Sequence, residues 1–276
     1  NRGAELWLGD VGGNSSKIYL NNNIYFYIDY EQGKFLPVKS HIIGKGVGSK
    51  RISARNLPHD FYDVTFEADN YDTYFNGGII NRLISKNVGT TIESNAPNNR
   101  LIHYAAFLQL GEIKDNQTFD TLVFSGGNRY RLERGKTQII TSQGALISMG
   151  GCDSLVYIQS SDGTAPATIK KELGTDVSIN NTIVENVMAD ISTGASYTIN
   201  NGLTLANSTG WAVINSPPRN LYWVNNGGYW DDSSHWSLTP TGPGGECPPT
   251  PLDHVFFTNN SFSLTNQTVQ IRSYDA

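Results

Sequence analysis

Short apolar runs of four to six residues recur along the chain, separated by Gly, Asn or Asp. From Phe119 to Ile214 they read LVF, YRL, QIIT, ALIS, LVYIQS, ATIK and VSI. Runs of this length suit short β-strands. Helical periodicity is nearly absent; its best instance, GIINRLISK over Gly78–Lys86, reads equally well as a strand. The organising stretch is Val177–Asn207, which contains a near-copy of itself. Ser178-Ile179-Asn180-Asn181-Thr182-Ile183 returns twenty residues later as Thr198-Ile199-Asn200-Asn201-Gly202-Leu203. A period of about 20 residues built from β-like runs marks a stack in which each turn of chain lies on the last. The expected fold is therefore all-β, a parallel β-helix (solenoid). In it Ile179 lies over Ile199 and Ile183 over Leu203 in a narrow core, with the Asn pairs at bends, where Asn tolerates left-handed backbone. Two unrelated hairpins with Asn-Asn turns are the alternative.

Upstream, Leu6–Asn14 reads as an aromatic strand and a Gly-rich turn. KIYLNNNIYFYIDY (Lys17–Tyr30) reads as two strands around an Asn-rich turn, with Ile24, Phe26 and Ile28 inward. HIIGKGV at His41–Val47 is a strand broken by glycines. A longer echo links Tyr62–Phe66, Asp120–Phe124 and Asp253–Phe257: an aliphatic and a Phe two apart, expected to face the core. It continues from Asn128, Tyr130, Leu132, Gln138 and Ile139 to Asn260, Phe262, Leu264, Gln270 and Ile271 at identical offsets.

Ser216–Asn220, SPPRN, is the clearest boundary, because two prolines cannot donate to a ladder. Beyond it Leu221–Trp236 carries three of the five tryptophans, and TPTGPGGECPPTP at Thr239–Pro251 reads as a Pro/Gly-rich linker before strands resume at Val255. The expected organisation is 1–118, a β-rich segment with a degenerate module start and the first coils; 119–215, further coils; and 216–276, a Trp-rich motif, the linker and the first strands of a following β module.

Composition narrows the function classes. Only 16% of residues are charged, and Gly, Asn, Ser and Thr take their place, as in secreted, turn-rich β proteins. A net charge of −5 gives a nucleic-acid partner no electrostatic support. The basic residues are scattered apart from Lys45, Lys50, Arg51 and Arg55. No apolar run is long enough to span a bilayer, and the opening residues do not read as a signal peptide. The chain reads as an internal piece of something longer. Cys152 and Cys247 lie in Gly-rich turns 95 residues apart and are candidates for a disulfide in an oxidising compartment; neither has a zinc-ligand neighbour.

LYWVNNGGYWDDSSHWSL followed by GPGGECPPTPLDHVFF, over Leu221–Phe257, resembles the module-opening motif of the giant repetitive surface adhesins of gliding Bacteroidota. GGCDSLVYIQS (Gly150–Ser160) and NSTGW (Asn207–Trp211) fit the same family, and Leu6–Gly13 resembles a degenerate opening motif. The resemblance implies export through the type 9 secretion system and display on the outer face of the outer membrane. It also implies filaments that the gliding machinery moves and that grip extracellular polysaccharide, with neighbouring modules of the same chain as partners. The function expected from it is structural and adhesive, without catalysis.

Candidate sites follow. Trp223, Tyr229, Trp230 and Trp236 are a candidate stacking platform for sugars, or else pack at the end of a coil. Asp231 with Asp253 is a candidate Ca²⁺ site, and Asp69-Asn70-Tyr71-Asp72 a second; no other cofactor is expected. Thr121 and Ser154 stand in Asp-Ser/Thr-aliphatic triplets of the kind that Bacteroidota O-glycosylate, exposed if Leu122 and Leu155 face the core. A carbohydrate-active β-helix enzyme is the competing class. Lys170 or Lys171 could then serve proton abstraction and Glu172 hold calcium, but all three are expected in an exposed turn. A carbohydrate-binding module is the third.

Overall fold

The computed structural model describes residues 101–250 and 252–271 without interruption, and before them 6–7, 17–21, 24–28, 35–36, 41–46, 50–54, 61–67, 73–76, 79–86 and 90–93. The side chains of 24–28 and the segment 69–72 lie outside the described residues, so neither the expected inward face of the former nor the second calcium turn is placed.

Contacts divide the chain into two compact units, Asn1–Gly150 with Leu155–Ile214, and Gly151–Ser154 with Asn215–Ala276. The first is all-β. Its strands alternate along the chain between two nine-stranded parallel sheets, and a three-stranded parallel sheet joins them toward residue 214. The same two sheets run across residue 118: Leu101–Phe107 pairs with Gln117–Ser125, and Gly111–Ile113 with Arg129–Leu132. Ile80–Ser85 is a strand, so the helical alternative for that stretch is set aside.

Like side chains lie over like. In one sheet, Phe61, Ile80, Ile102, Phe119 and Ile140 form a column of Cα partners, all buried. Val64, Leu83, Ala105, Leu122 and Leu146 form the next. In the other sheet Ile92, Ile113 and Leu132 stack likewise. Each buried aliphatic side chain contributes roughly 1.5–3 kcal/mol. Between the sheets Tyr130 packs on Phe124 at 4.4 Å and on Phe107 at 6.1 Å. Its hydroxyl donates to the Phe107 carbonyl at 2.9 Å and accepts from the Ser125 N–H at 3.0 Å, which satisfies a polar atom in the core. Gly111, the Cα partner of Tyr130, leaves room for that cluster: a Cβ there would stand 2.4 Å from the Phe107 ring.

Ile179 pairs with Ile199, and Ile183 with Leu203, in the register the duplicated sequence predicts. The inward residue after the bend differs from expectation. Asn181 and Asn201 adopt φ of 48° and 53°, and one left-handed residue shifts the in/out alternation by one. Thr182 and Val184 therefore point into the core, and Ile183 and Leu203 are only half-buried. The Asn side chains also bond along the stack: Asn207 Nδ2 donates to Asn186 Oδ1 at 3.0 Å, and Asn200 Nδ2 to Ser178 Oγ at 3.0 Å.

The second unit is a small sheet in the order Trp236–Ser237, Asn220–Trp223, His254–Phe256, with a parallel pair formed by Gly228–Tyr229 and Val269–Gln270. The longer echo is only partly repeated in burial. Val64, Phe66, Leu122 and Phe124 are core, but Phe257 is half-exposed, Leu264 is 71% exposed where Leu132 is buried, and Ile271 is 78% exposed where Ile139 is half-buried. Equivalent sequence thus meets a following strand in one place and none among the described residues in the other.

Candidate functional sites

The tryptophan motif is the core of the second unit. Trp223 and Trp236 are Cα partners on adjacent strands, both fully buried, with rings T-shaped at 5.0 Å. Trp230 meets Trp236 at 4.8 Å. Each buried indole N–H has a partner: Trp223 Nε1 donates to the Asn226 carbonyl at 2.6 Å and Trp236 Nε1 to the Trp230 carbonyl at 2.7 Å. Trp223 and Trp236 therefore offer no free face to a sugar, and for these two the packing alternative is the one the structure takes. Of the four, only Tyr229 is exposed, and Trp230 is half-buried.

The rest of the motif serves the same packing. The His235 ring lies parallel to Trp223 at 4.6 Å, with Nδ1 2.9 Å from the Val224 carbonyl. Gly228 is required beneath it, since a Cβ there would stand 2.0 Å from His235 Nε2. Asp232 caps the short turn Ser233–His235 by accepting the Ser234 N–H at 2.9 Å. Alternation also places Tyr222 on the face opposite Leu221 and Trp223, where it stacks on Phe256 at 5.1 Å. That surface pair was missed; the period-2 pattern around Trp223 was the available signal.

Asp253, one of the two candidate calcium carboxylates, forms an ion pair with Arg219. Its Oδ1 accepts from Arg219 N at 2.8 Å and Nε at 3.2 Å; its Oδ2 accepts from Arg219 Nη2 at 2.8 Å and Thr250 N at 2.7 Å. Both Asp253 oxygens are thus already engaged by donors, and the guanidinium balances the carboxylate charge. Burial alone would raise the Asp253 pKa, but the bonds from Arg219 and Thr250 outweigh it and hold the carboxyl well below the usual range. Among the described residues no group of three or more His, Cys, Asp or Glu is arranged to hold a metal ion.

Cys152 and Cys247 are bonded, with S–S 2.03 Å and Cα–Cα 5.4 Å. Thr121 stands beside the buried Leu122 on the outer side of its strand. At the second triplet Leu155 is exposed, so the condition of an inward Leu is not met there: Gly151–Ser154 turns back on itself and Leu155 precedes the strand Val156–Ser160. Ser154 Oγ donates to Asp153 Oδ1 at 3.1 Å.

Lys171 overturns a further expectation. It ends the strand Ala167–Lys171 and is the Cα partner of Ile140, so it occupies a core position and not an exposed turn. Its ammonium donates to the carbonyls of Thr141, Ser142 and Gly144 at 2.5, 2.8 and 2.7 Å. Those carbonyls belong to an irregular stretch where the register with Gln117–Ser125 shifts. Burial pushes the Lys171 pKa down and the neighbouring Glu172 raises it. Lys170 instead pairs with Asp190 at 3.3 Å, and Glu172 accepts the Ser142 N–H.

Two polar clusters on the outer faces were not anticipated. His103 Nδ1 lies 2.5 Å from Asp120 Oδ2, and Thr141 Oγ1 donates to Asp120 Oδ1 at 2.6 Å. Burial would raise the Asp120 pKa, but the bonds from Thr141 and His103 lower it overall. On the other sheet the Arg129 guanidinium lies 4.4 Å from the centre of the Tyr157 ring, and the Tyr157 hydroxyl donates to Glu185. Burial, then that bond to a carboxylate, pushes the phenol up to about 12.

No model of a protein family, no curated protein and no solved structure matches the chain. Among the described residues no helix is long and apolar enough to cross a membrane.

Proposed function

We propose that this chain is a parallel β-helix segment of a giant, SprB-like gliding adhesin, and that its work is extension, spacing and weak multivalent gripping of polysaccharide without catalysis. The observation that carries the reading is the repeated like-over-like register, column on column, across two nine-stranded parallel sheets. A stack whose strands contact only their neighbours extends by addition of further turns, which suits a spacer. Linked weak sites then reach useful avidity through effective concentration.

The bonded cysteines favour an oxidising compartment, in line with display on the cell surface after type 9 secretion. The tryptophan motif, packed as a core of its own, suits a recurrent module start, with 216–276 opening the next module of the same chain. The reading is tested by labelling intact, unpermeabilised producing cells with antibody against this segment, and by scoring attachment of a deletion strain to polysaccharide-coated glass. Surface labelling and weakened attachment are expected. Labelling only after permeabilisation would sink the reading.

The exposed His103–Asp120 pair favours a second reading, a carbohydrate-active enzyme. Release of reducing ends from polysaccharide by the purified chain, abolished by His103→Ala, would establish it.

A further inference from the structure

We propose that an outward bend shared by four neighbouring strands is a binding strip for a neutral polysaccharide chain, with Tyr62, Arg82, His103, Tyr104 and Asp120 as its contact residues. The proposal rests on the polysaccharide-gripping reading above and assigns it a site in place of the buried tryptophans.

The bend arises from a regular fault in the alternation of side chains. In Phe61–Phe66, Ile80–Ser85, Leu101–Phe107 and Gln117–Ser125, the inward residues are Phe61 and Val64, Ile80 and Leu83, Ile102 and Ala105, Phe119 and Leu122. A strict strand would place inward residues two apart; here they are three apart. The cross-strand register breaks at the same point in every pair, passing over Tyr62, Asn81, His103 and Asp120. Two consecutive residues per strand therefore leave the inner face. Because neighbouring parallel strands lie about 4.8 Å apart, the two columns repeat at that interval across the sheet.

The chemistry of those columns is that of sugar recognition. Tyr62, Arg82 and His103 are exposed, and Asp63, Asn81, Tyr104 and Asp120 are partly so. Phenol rings offer apolar faces to the C–H surface of a pyranose, and planar polar groups offer paired donors and acceptors to neighbouring hydroxyls. The groups are held by one another. Asn81 Nδ2 donates to Asp63 Oδ1 at 3.1 Å, and the Arg82 guanidinium lies 5.7 Å from the centre of the Tyr104 ring. The contact of His103 Nδ1 with Asp120 orients the imidazole and leaves Nε2 for a ligand. At the far end Thr141 fixes Asp120, and the Thr141 carbonyl is itself held by the buried Lys171 ammonium. Such mutual support limits the ordering entropy lost on binding. Carboxylates at Asp63 and Asp120 stand among Lys17, Arg82 and the two imidazoles His41 and His103, so both signs are interspersed along the strip and no field of one sign selects a polyanion.

The test is native affinity electrophoresis of the whole 276-residue chain in gels cast with dextran, galactomannan, xyloglucan or alginate. Retardation by at least one of the three neutral polymers is expected. Arg82→Ala/His103→Ala should weaken it at least tenfold with an unchanged circular-dichroism melt, and the single variant Tyr104→Ala should weaken it without altering the fold. Tyr222→Ala/Phe256→Ala, on the second unit, should bind as the unaltered chain does. Retardation by alginate alone would overturn the ligand class. Strip variants that bind like the unaltered chain would overturn the site and leave polysaccharide gripping intact. An unaltered chain that runs freely in all four gels would remove both.

Discussion

Ile179 and Ile199 are Cα partners on adjacent parallel strands, and both side chains are buried in one core. Twenty residues of chain separate them, yet they form one packing contact. Truncating either to Ala removes apolar area and leaves a cavity, at a cost of about 2–5 kcal/mol. Because the two share that cavity, the double variant should cost less than the sum of the singles. Urea titrations of the four proteins of the cycle measure the coupling. Strict additivity would show that the two residues do not pack on each other.

Gly228 should not tolerate a side chain while His235 is present. The clash lies against an imidazole fixed by Trp223 and the Val224 carbonyl, so the ring has little freedom to retreat. Gly228→Ala is expected to destabilise the second unit by about 1–3 kcal/mol, the usual cost of overpacking. Adding His235→Ala should recover part of that loss. Tryptophan fluorescence follows the unfolding, because Trp223 and Trp236 stand at the site.

The Arg219–Asp253 pair sets an acid limit for the second unit. The folded pKa of Asp253 is depressed, so its contribution to stability is fully present above the unfolded value of about 3.9. It declines as pH falls below that value and is lost only once pH has passed below the folded pKa. Fluorescence-monitored thermal melts between pH 6 and pH 2 should show a falling midpoint. Asp253→Asn should start from a lower midpoint at pH 6 and fall less steeply. Parallel curves would show that the pair contributes nothing to the acid sensitivity.

Lys171 is expected to matter through its ammonium and not merely its stem. Lys171→Met keeps most of the buried apolar volume but leaves the carbonyls of Thr141, Ser142 and Gly144 without this donor. A buried acceptor without a partner costs about 1–3 kcal/mol, so the variant should be clearly less stable to urea. Amide exchange should quicken around residues 141–144 before it does elsewhere. A Met variant as stable and as protected as the parent would show that the cage is not held by charge.

Much of the strand pattern was legible in the sequence because alternation and turn residues act locally. The runs from LVF to VSI are strands, and the duplicated Ser-Ile-Asn-Asn stretch pairs in the expected register. Those features need only a period and a bend, which Ile179, Asn181, Ile199 and Asn201 encode within a few residues. The candidate sites were less legible. Tryptophans in a Gly- and Asp-rich segment can read as a ligand platform or as a core, and composition does not distinguish them. Lys171 reads as solvated because ammonium groups are seldom buried. Only the irregular stretch at 141–144, 27 to 30 residues away in sequence, supplies the carbonyls that make burial tolerable.

The sequence by itself determined the β character, the spacing of the bends and the like-over-like partners, since these follow from steric preferences of neighbouring residues. The tertiary structure alone decided which side of each bend faces the core, which aromatics are exposed, and which charges are paired. One left-handed Asn or one skipped register position inverts the facing of everything after it. That parity depends on strands distant along the chain, so it is settled only when they stack.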